Sequence, residues 1–488
     1  MKKRLFGILV SFLVGLMPNA VGQNYEDAFN DFVRQNEQSF NRFADSINRQ
    51  FAAALAANIT SFKGETPVVK DAKPKPVRQP QYPNGDTPQK KINPPRPERD
   101  PERAPGNAPE TNPEPEEVQS PIETPLLNNL NTLSFTIFGE DARIAVRPFQ
   151  AELKGISAKD VSDFWLQLSE CDYVQLLQYC QASQKTLAYN DWAIFQLVLR
   201  IAQQIYPSQY NEQTVLTVFL LNQLGLEAKV GFEESHLFVL VAIQQQVYGV
   251  SFCDISGLRY YIEDFNPAYH SNNKSFSFRT YDVNFPQKTK NLDMNLKRPI
   301  KTHSVNDREI KDSIINISMS MVQLFSTYPQ VDVDVYANAI PSEEFCASLD
   351  RLLVPVFKDL SEYDAVALLL KYLQYGFDYA TDEEQFGFEK PFFCEENYFY
   401  PKNDCEDRAV LFSFLVRYLL GMEVVLIDYP GHLATAVCFK ENVSGASLVH
   451  KGKRYVICDP TYVGAPIGVE MPDFAQDDRT VIPLKRIR

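Results

Sequence analysis

The chain has 488 residues, 44% apolar and 12% aromatic, enough material for more than one hydrophobic core. Its formal charge of −14 argues against nucleic acid or anionic lipid as the main partner, since both demand a basic surface. The eight cysteines are scattered, with no C-x-x-C pair, which argues against a dense disulfide framework or a zinc centre; no metal and no cofactor are expected.

Residues 1–22 read as a signal peptide: three basic residues, a short apolar run from Leu5 to Met17, then Ala20 and Gly22 as small cleavage-site residues. The run is too short to span a bilayer comfortably. The expectation is an exported protein, periplasmic or secreted, with no stable membrane insertion after cleavage. Residues 23–63 are expected to hold one amphipathic helix, over 24–60. Tyr25, Phe29, Phe32, Phe40, Phe43, Ile47, Phe51 and Leu55 recur mostly at three- and four-residue steps. Its apolar stripe needs a cover: its neighbours, the body of the protein, or self-association as a coiled coil. Half of the 32 prolines fall within residues 64–125, and that composition reads as a disordered, semi-rigid linker.

Beyond Leu126 the chain becomes globular and repeats itself. Gly225 and Gly421 each lie eleven residues before a histidine, His236 and His432. Each histidine opens an apolar strand, and Cys253-Asp254 downstream of one is matched to Cys458-Asp459 downstream of the other. Upstream, helical stretches open at Leu187 and Leu360. Two related α+β domains are therefore expected, 126–285 and 340–488, joined by a connector over 286–339. One position breaks the match. Sixteen residues before Gly421 stands Cys405, while sixteen before Gly225 stands Gln209. The first copy is then a degenerate site of Gln209, His236 and Asp254.

In the second copy, the run from Ala409 to Leu420 is apolar nearly all round, as suits a buried helix. Asp404 is a plausible N-cap, which puts Cys405 at the helix start. There the helix dipole favours a thiolate, and backbone N–H groups of the first turn are candidate oxyanion donors. The acids Asp404, Glu406 and Asp407 oppose the thiolate unless they are otherwise engaged. His432 begins a strand after a Tyr-Pro-Gly turn, and Asp459 ends another before Pro460. A thiol, an imidazole and a carboxylate so placed make a nucleophile, its base and the acid that orients the base. Cys253, Cys438 and Cys458 read as buried fillers, and His270, His303 and His450 have no metal-like spacing.

The stretches "DCEDRAVLFSFLVRYLLG", "GHLATAV" and "CDPTYVG" resemble the Cys, His and Asp motifs of the transglutaminase-like superfamily, over about residues 350–470. The resemblance implies a papain-like fold, a buried helix packed on an antiparallel sheet, duplicated in this chain. It implies Cys405 as nucleophile, His432 as base and Asp459 as orienting acid. It also implies an oxyanion donor just upstream, where Tyr398 and Tyr400 both stand. The expected activity is acyl transfer on a protein or peptide substrate, with water as acceptor giving a peptidase or amidase. An amine acceptor would give protein cross-linking, and a binding scaffold of two inactive domains is the non-enzymatic alternative.

Overall fold

The computed structural model describes residues 45–70, 131–233, 236–266, 276–301, 307–309, 315–474 and 479–487. The signal-peptide region, the first part of the amphipathic segment and most of the Pro-rich stretch lie outside these residues.

Residues 45–57 form helix α1, whose Ile47, Phe51 and Leu55 recur every fourth position and are buried. They pack on the body of the protein: Phe51 meets Trp165 with ring centroids 4.8 Å apart, and Trp165 Nε1 donates to Asn48 Oδ1 at 3.1 Å. The described part of the apolar stripe is thus covered by the body of the protein, one of the three covers its sequence leaves open. The helix also stops earlier than its spacing predicts, because residues 59–64 pair as strand β1 (Ile59–Gly64). Nor is the chain a free tether immediately after β1. Glu65 N donates to Phe252 O at 2.7 Å, Gly249 N donates to Val68 O at 2.9 Å, and Lys70 reaches Glu406.

A hairpin, β2 (Asn131–Ile137) and β3 (Glu140–Val146), precedes four helices: α2 (Ala158–Glu170), α3 (Tyr173–Thr186), α4 (Asp191–Ile205) and α5 (Tyr210–Gln223). Strands β4 (Ala228–Phe232), β5 (Leu237–Ala242), β6 (Phe252–Ile255), β7 (Leu258–Glu263) and β8 (Phe276–Tyr281) follow. Short strands β9 (Asp307–Glu309) and β10 (Asn316–Ser318) lead into helices α6 (Met319–Phe325), α7 (Val333–Ala337), α8 (Glu343–Phe357) and α9 (Glu362–Gly376). Next come β11 (Asp378–Tyr379), α10 (Asp382–Phe386), α11 (Glu396–Phe399), β12 (Lys402–Asn403) and α12 (Cys405–Leu419). The last strands are β13 (Glu423–Tyr429), β14 (His432–Cys438), β15 (Ser447–His450), β16 (Lys453–Cys458) and β17 (Thr480–Pro483). The protein is mixed α+β, and its two large sheets are antiparallel.

The two sheets correspond strand for strand. The first runs β1-β8-β4-β5-β7-β6 and the second β17-β13-β14-β16-β15, so the second repeats the first without β1. Val230 stands opposite Val239, and Leu426 opposite Thr435; a shift of 196 positions converts one pair into the other. Val239 stands opposite Glu263, and Thr435 opposite Cys458. This register corrects the sequence comparison. The strand beside β5 is β7, and Cys253-Asp254 lies on the outer strand β6, so the counterpart of Asp459 is Asp264. A tight turn made of two left-handed residues, Ser256-Gly257 in one sheet and Lys451-Gly452 in the other, joins β6 to β7 and β15 to β16.

Helix α12 lies against β13 and β14, and every residue from Cys405 to Tyr418 is buried. Gly421 follows its C-cap with φ +64, as Gly225 (φ +80) follows α5, a backbone state that glycine adopts without cost. The halves are not separate bodies. One apolar core runs from Trp165 and Phe219 through Met321 and Tyr336 to Phe393, Ala409 and Leu433. Phe325 stacks on Phe393 at 4.1 Å between centroids, so the expected connector is a packed layer where it is described.

Candidate active site

The head of α12 is held by a reciprocal cap. Asp404 accepts from Glu406 N at 3.0 Å and Asp407 N at 3.5 Å, while Asp407 accepts from Asp404 N and Phe392 N, both at 2.9 Å. Glu406 accepts from Lys70 Nζ at 2.9 Å. The three acids flanking the cysteine are thus each engaged. The amide groups of Glu406 and Asp407 are spent on the cap, which removes them as oxyanion donors.

A cation that sequence reasoning missed stands one turn further on. Arg408 is 1% exposed; its Nε donates to Asn403 Oδ1 and its Nη2 to Phe377 O, both at 2.8 Å. Burial lowers its pKa, against the charges of Tyr379, Asp407, Asp404 and Cys405, so the guanidinium and the thiol are within electrostatic reach of each other. A basic residue three positions after a candidate nucleophile was visible in the sequence, but its burial was not.

His432 opens β14 opposite Tyr429. Its Nε2 lies 2.8 Å from Asp459 Oδ2, and the Cys405 thiol is near enough to act on the ring electrostatically. Burial pushes the imidazole pKa down, but the charge and hydrogen bond of Asp459, with those of Cys405, outweigh it and raise the value to about 10. The ring is covered by Phe474, stacked at 4.8 Å, with Tyr429 at 6.1 Å. Asp459 is fixed in turn, its Oδ1 accepting from Thr461 N at 2.9 Å and Tyr462 N at 3.2 Å.

Gln374, on α9, holds the loop after Asp459, and the sequence offered no sign of this. Its Nε2 donates to Asp459 O (3.1 Å), Tyr462 O (2.9 Å) and Ala465 O (3.0 Å), and its Oε1 accepts from Gly464 N at 3.2 Å. This one buried amide satisfies four backbone groups.

The two tyrosines are each held by neighbouring side chains. The Tyr398 hydroxyl lies 3.2 Å from that of Tyr372, and its ring packs on Phe345 and Phe377 in the core of the second half. Tyr400 stacks on Phe392 and has the Lys390 ammonium 5.1 Å from its ring centroid.

In the first half, His236 Nε2 lies 3.0 Å from Asp264 Oδ2 and 3.5 Å from Glu233 Oε2, with His236 and Asp264 both buried. Asp264 Oδ1 accepts from Asn266 N as Asp459 accepts from Thr461 N. Asp254 is exposed and bonded to Arg259 at 3.0 and 3.1 Å. Gln209 is exposed at the start of α5. The first half keeps an imidazole–carboxylate pair where no thiol stands.

No protein family, no curated protein and no solved structure matches the chain.

None of the eight cysteines is in a disulfide, and Cys171 Sγ donates to Gln167 O rather than pairing with Cys180. Cys253 and Cys458 are buried as fillers are, whereas Cys438 is only half-buried. Among the described residues, Asp382, Asp404 and Asp407 form the one buried group whose carboxylates come within 4.8 Å of one another, the spacing a cation would need. Each of the three also accepts a backbone N–H. No described helix is long and apolar enough to cross a membrane.

Proposed function

We propose that the protein is a thiol-dependent acyl-transfer enzyme that hydrolyses peptide or side-chain amide bonds through Cys405. It is built on two related α+β domains of the transglutaminase-like, papain-like class. The observation that carries this reading is a buried histidine bonded to a fixed carboxylate and within electrostatic reach of a helix-start thiol. The matched strand order and register of the two sheets support the duplication.

His432 takes the Cys405 proton, and the raised imidazole pKa keeps the resulting imidazolium–thiolate pair intact near neutral pH. The thiolate sulfur attacks the amide carbonyl carbon. The imidazolium then gives its proton to the departing amine, leaving a thioester on Cys405. His432 next removes a proton from water, hydroxide displaces the thiol, and the carboxylic acid leaves. Asp459 holds the imidazole and stabilises its cation throughout. The basic-then-apolar start of the chain supports export. A protein or peptide in the cell envelope or medium, where water is the abundant acceptor, fits hydrolysis better than cross-linking.

The His236–Asp264 pair without a thiol supports a different use of the first half, in packing or in binding the substrate. The test is turnover of a peptide-amide library, with an acid quench to catch the thioester by mass. Wild type should show the acyl adduct on Cys405, and Cys405→Ala should show neither adduct nor turnover. Equal turnover by Cys405→Ala would overturn the reading.

A further inference from the structure

Neither reacting group of the Cys405 site is open as the chain stands: Cys405 is 3% exposed and His432 6%. An amide carbonyl must reach the sulfur and the departing amine must reach the imidazole, so whatever covers them has to move. What lies on the imidazole is a ring. Phe474 stacks on His432 with centroids 4.8 Å apart and planes inclined by 22°. Tyr429 stands 6.1 Å from the same imidazole and 5.7 Å from Phe474, so the three rings form one cluster.

The segment that carries Phe474 is tied down unevenly. From Asp459 to Ala465 the loop is held by Gln374. At Gly468 it is seated on the sheet: Gly468 N donates to Ile457 O at 2.8 Å, and Gly468 O accepts from Ala446 N at 2.7 Å. The seat is close, for a Cβ at Gly468 would meet Ser444 O at 2.6 Å. Beyond that point the ties change. Among the described residues, the backbone of residues 469–474 bonds only to near neighbours in the chain, Val469 N to Pro466 O at 3.2 Å and Phe474 N to Met471 O at 3.0 Å. Three side chains hold it instead. Met471 and Phe474 are buried in a small apolar cluster with Ile427, Ala434 and Ile457. Glu470 accepts from the Tyr429 hydroxyl at 2.5 Å and from Arg479 Nη1 at 2.7 Å. Pro472 and Asp473, at the tip of the turn, are exposed. A segment fixed by a few side chains opens at lower cost than the hydrogen-bonded sheet beneath it.

We infer that residues 469–474 are a cap on the Cys405 site, that Phe474 positions the His432 imidazole and closes the approach to it, and that substrate enters when the Tyr429–Glu470–Arg479 latch lets the cap lift from Gly468 onward. The inference rests on the reading of Cys405 as the nucleophile and His432 as its base. Closed, the cap shields the imidazole–carboxylate pair from water. Lifted, it gives the departing amine room beside the imidazole.

The test uses the full chain and two neutral thiol reagents that differ in bulk, iodoacetamide and its biotin conjugate. Rates at Cys405, and at half-buried Cys171 in the first half as a control, are read by mass spectrometry in wild type, Phe474→Ala and Glu470→Gln. The bulky-to-small rate ratio at Cys405 should rise about tenfold in Phe474→Ala and about threefold in Glu470→Gln, which loosens the latch and leaves every ring in place. The ratio at Cys171 should stay at its wild-type value. Should Phe474→Ala fail to fold, Glu470→Gln carries the test by itself. A Cys405 ratio unmoved by the variants overturns the inference, and so does a rise shared by Cys171, which marks a general loosening of the fold. Both outcomes leave the nucleophile reading intact. That reading fails separately, if iodoacetamide in mild acid labels Cys405 no faster than Cys171 in every variant.

Discussion

His432 and Asp459 meet across neighbouring strands at 2.8 Å, with their backbones fixed by the β14–β16 register and their side chains shut away from water. The carboxylate has two further bonds to its own loop, so the imidazole meets a rigid partner. This relationship gives the imidazole its raised pKa and its orientation toward Cys405.

Asp459→Asn keeps the shape and removes the charge. The imidazolium loses its chief support, and the amide can present the wrong group to Nε2. Turnover should fall by about 10²–10⁴-fold, with little change in KM. Steady-state kinetics on the best substrate from the library checks this, and a loss confined to KM would point to a binding role.

Gln374 acts through Asp459. Replacing it with Met, of similar volume, strands three buried carbonyls and one N–H. The expected stability cost is about 3 kcal/mol or more. A merely structural role would stop there. A positioning role also lowers kcat and shifts the pH profile of Cys405 labelling, and Gln374→Glu at low pH, where the acid can still donate one bond, should recover part of it.

Glu395 carries a separate pH dependence. It is fully buried; burial raises its pKa to about 7, against the N–H bonds it accepts from Ser342 and Ser318. The folded state holds the proton up to about pH 7, while the unfolded chain releases it near the usual value of about 4.3. Stability from this group is full below the unfolded value and is lost as pH rises through the folded one. Relative to Glu395→Gln, wild type should lose on the order of a few kcal/mol across that window. Urea denaturation at pH 4.5 and pH 8 measures it; an opposite slope would contradict the assignment.

Replacing His236 with Ala tests the division between the halves. It breaks a buried pair with Asp264, which should cost about 3 kcal/mol. The rate of Cys405 alkylation in the folded protein should not change. A parallel loss of labelling would mean that the two dyads are coupled.

The buried helix, the Cys405–His432–Asp459 order and the first-copy histidine His236 were legible because each rests on a local signal: an apolar run, a turn, a strand end. The match of Asp254 failed because two strands of one hairpin both end in a candidate aspartate. The stretches "GLRYYIEDF" and "GKRYVICDP" share the Gly of the left-handed turn, the Arg-Tyr that follows and the final Asp, and they mark Asp264 as the counterpart. Residues 59–63 read as part of the amphipathic segment and 64–70 as linker, yet Ile59 and Phe62 find partners on β8 and Lys70 finds Glu406. The burial of Gln374 and Arg408 was invisible for a different reason. A lone Gln or Arg on a helix reads as solvent-facing until tertiary packing turns it inward.

If Cys405 and His432 form an imidazolium–thiolate pair, the pH dependence of Cys405 alkylation by iodoacetamide must report it. The account predicts selective labelling of Cys405 at a nearly constant rate from mild acid toward the His432 pKa of about 10. In His432→Ala the rate should instead climb with pH like that of an ordinary thiol, whose pKa is about 8.5. Wild-type labelling that already follows the ordinary thiol curve, or that spreads evenly over several cysteines, would contradict the account.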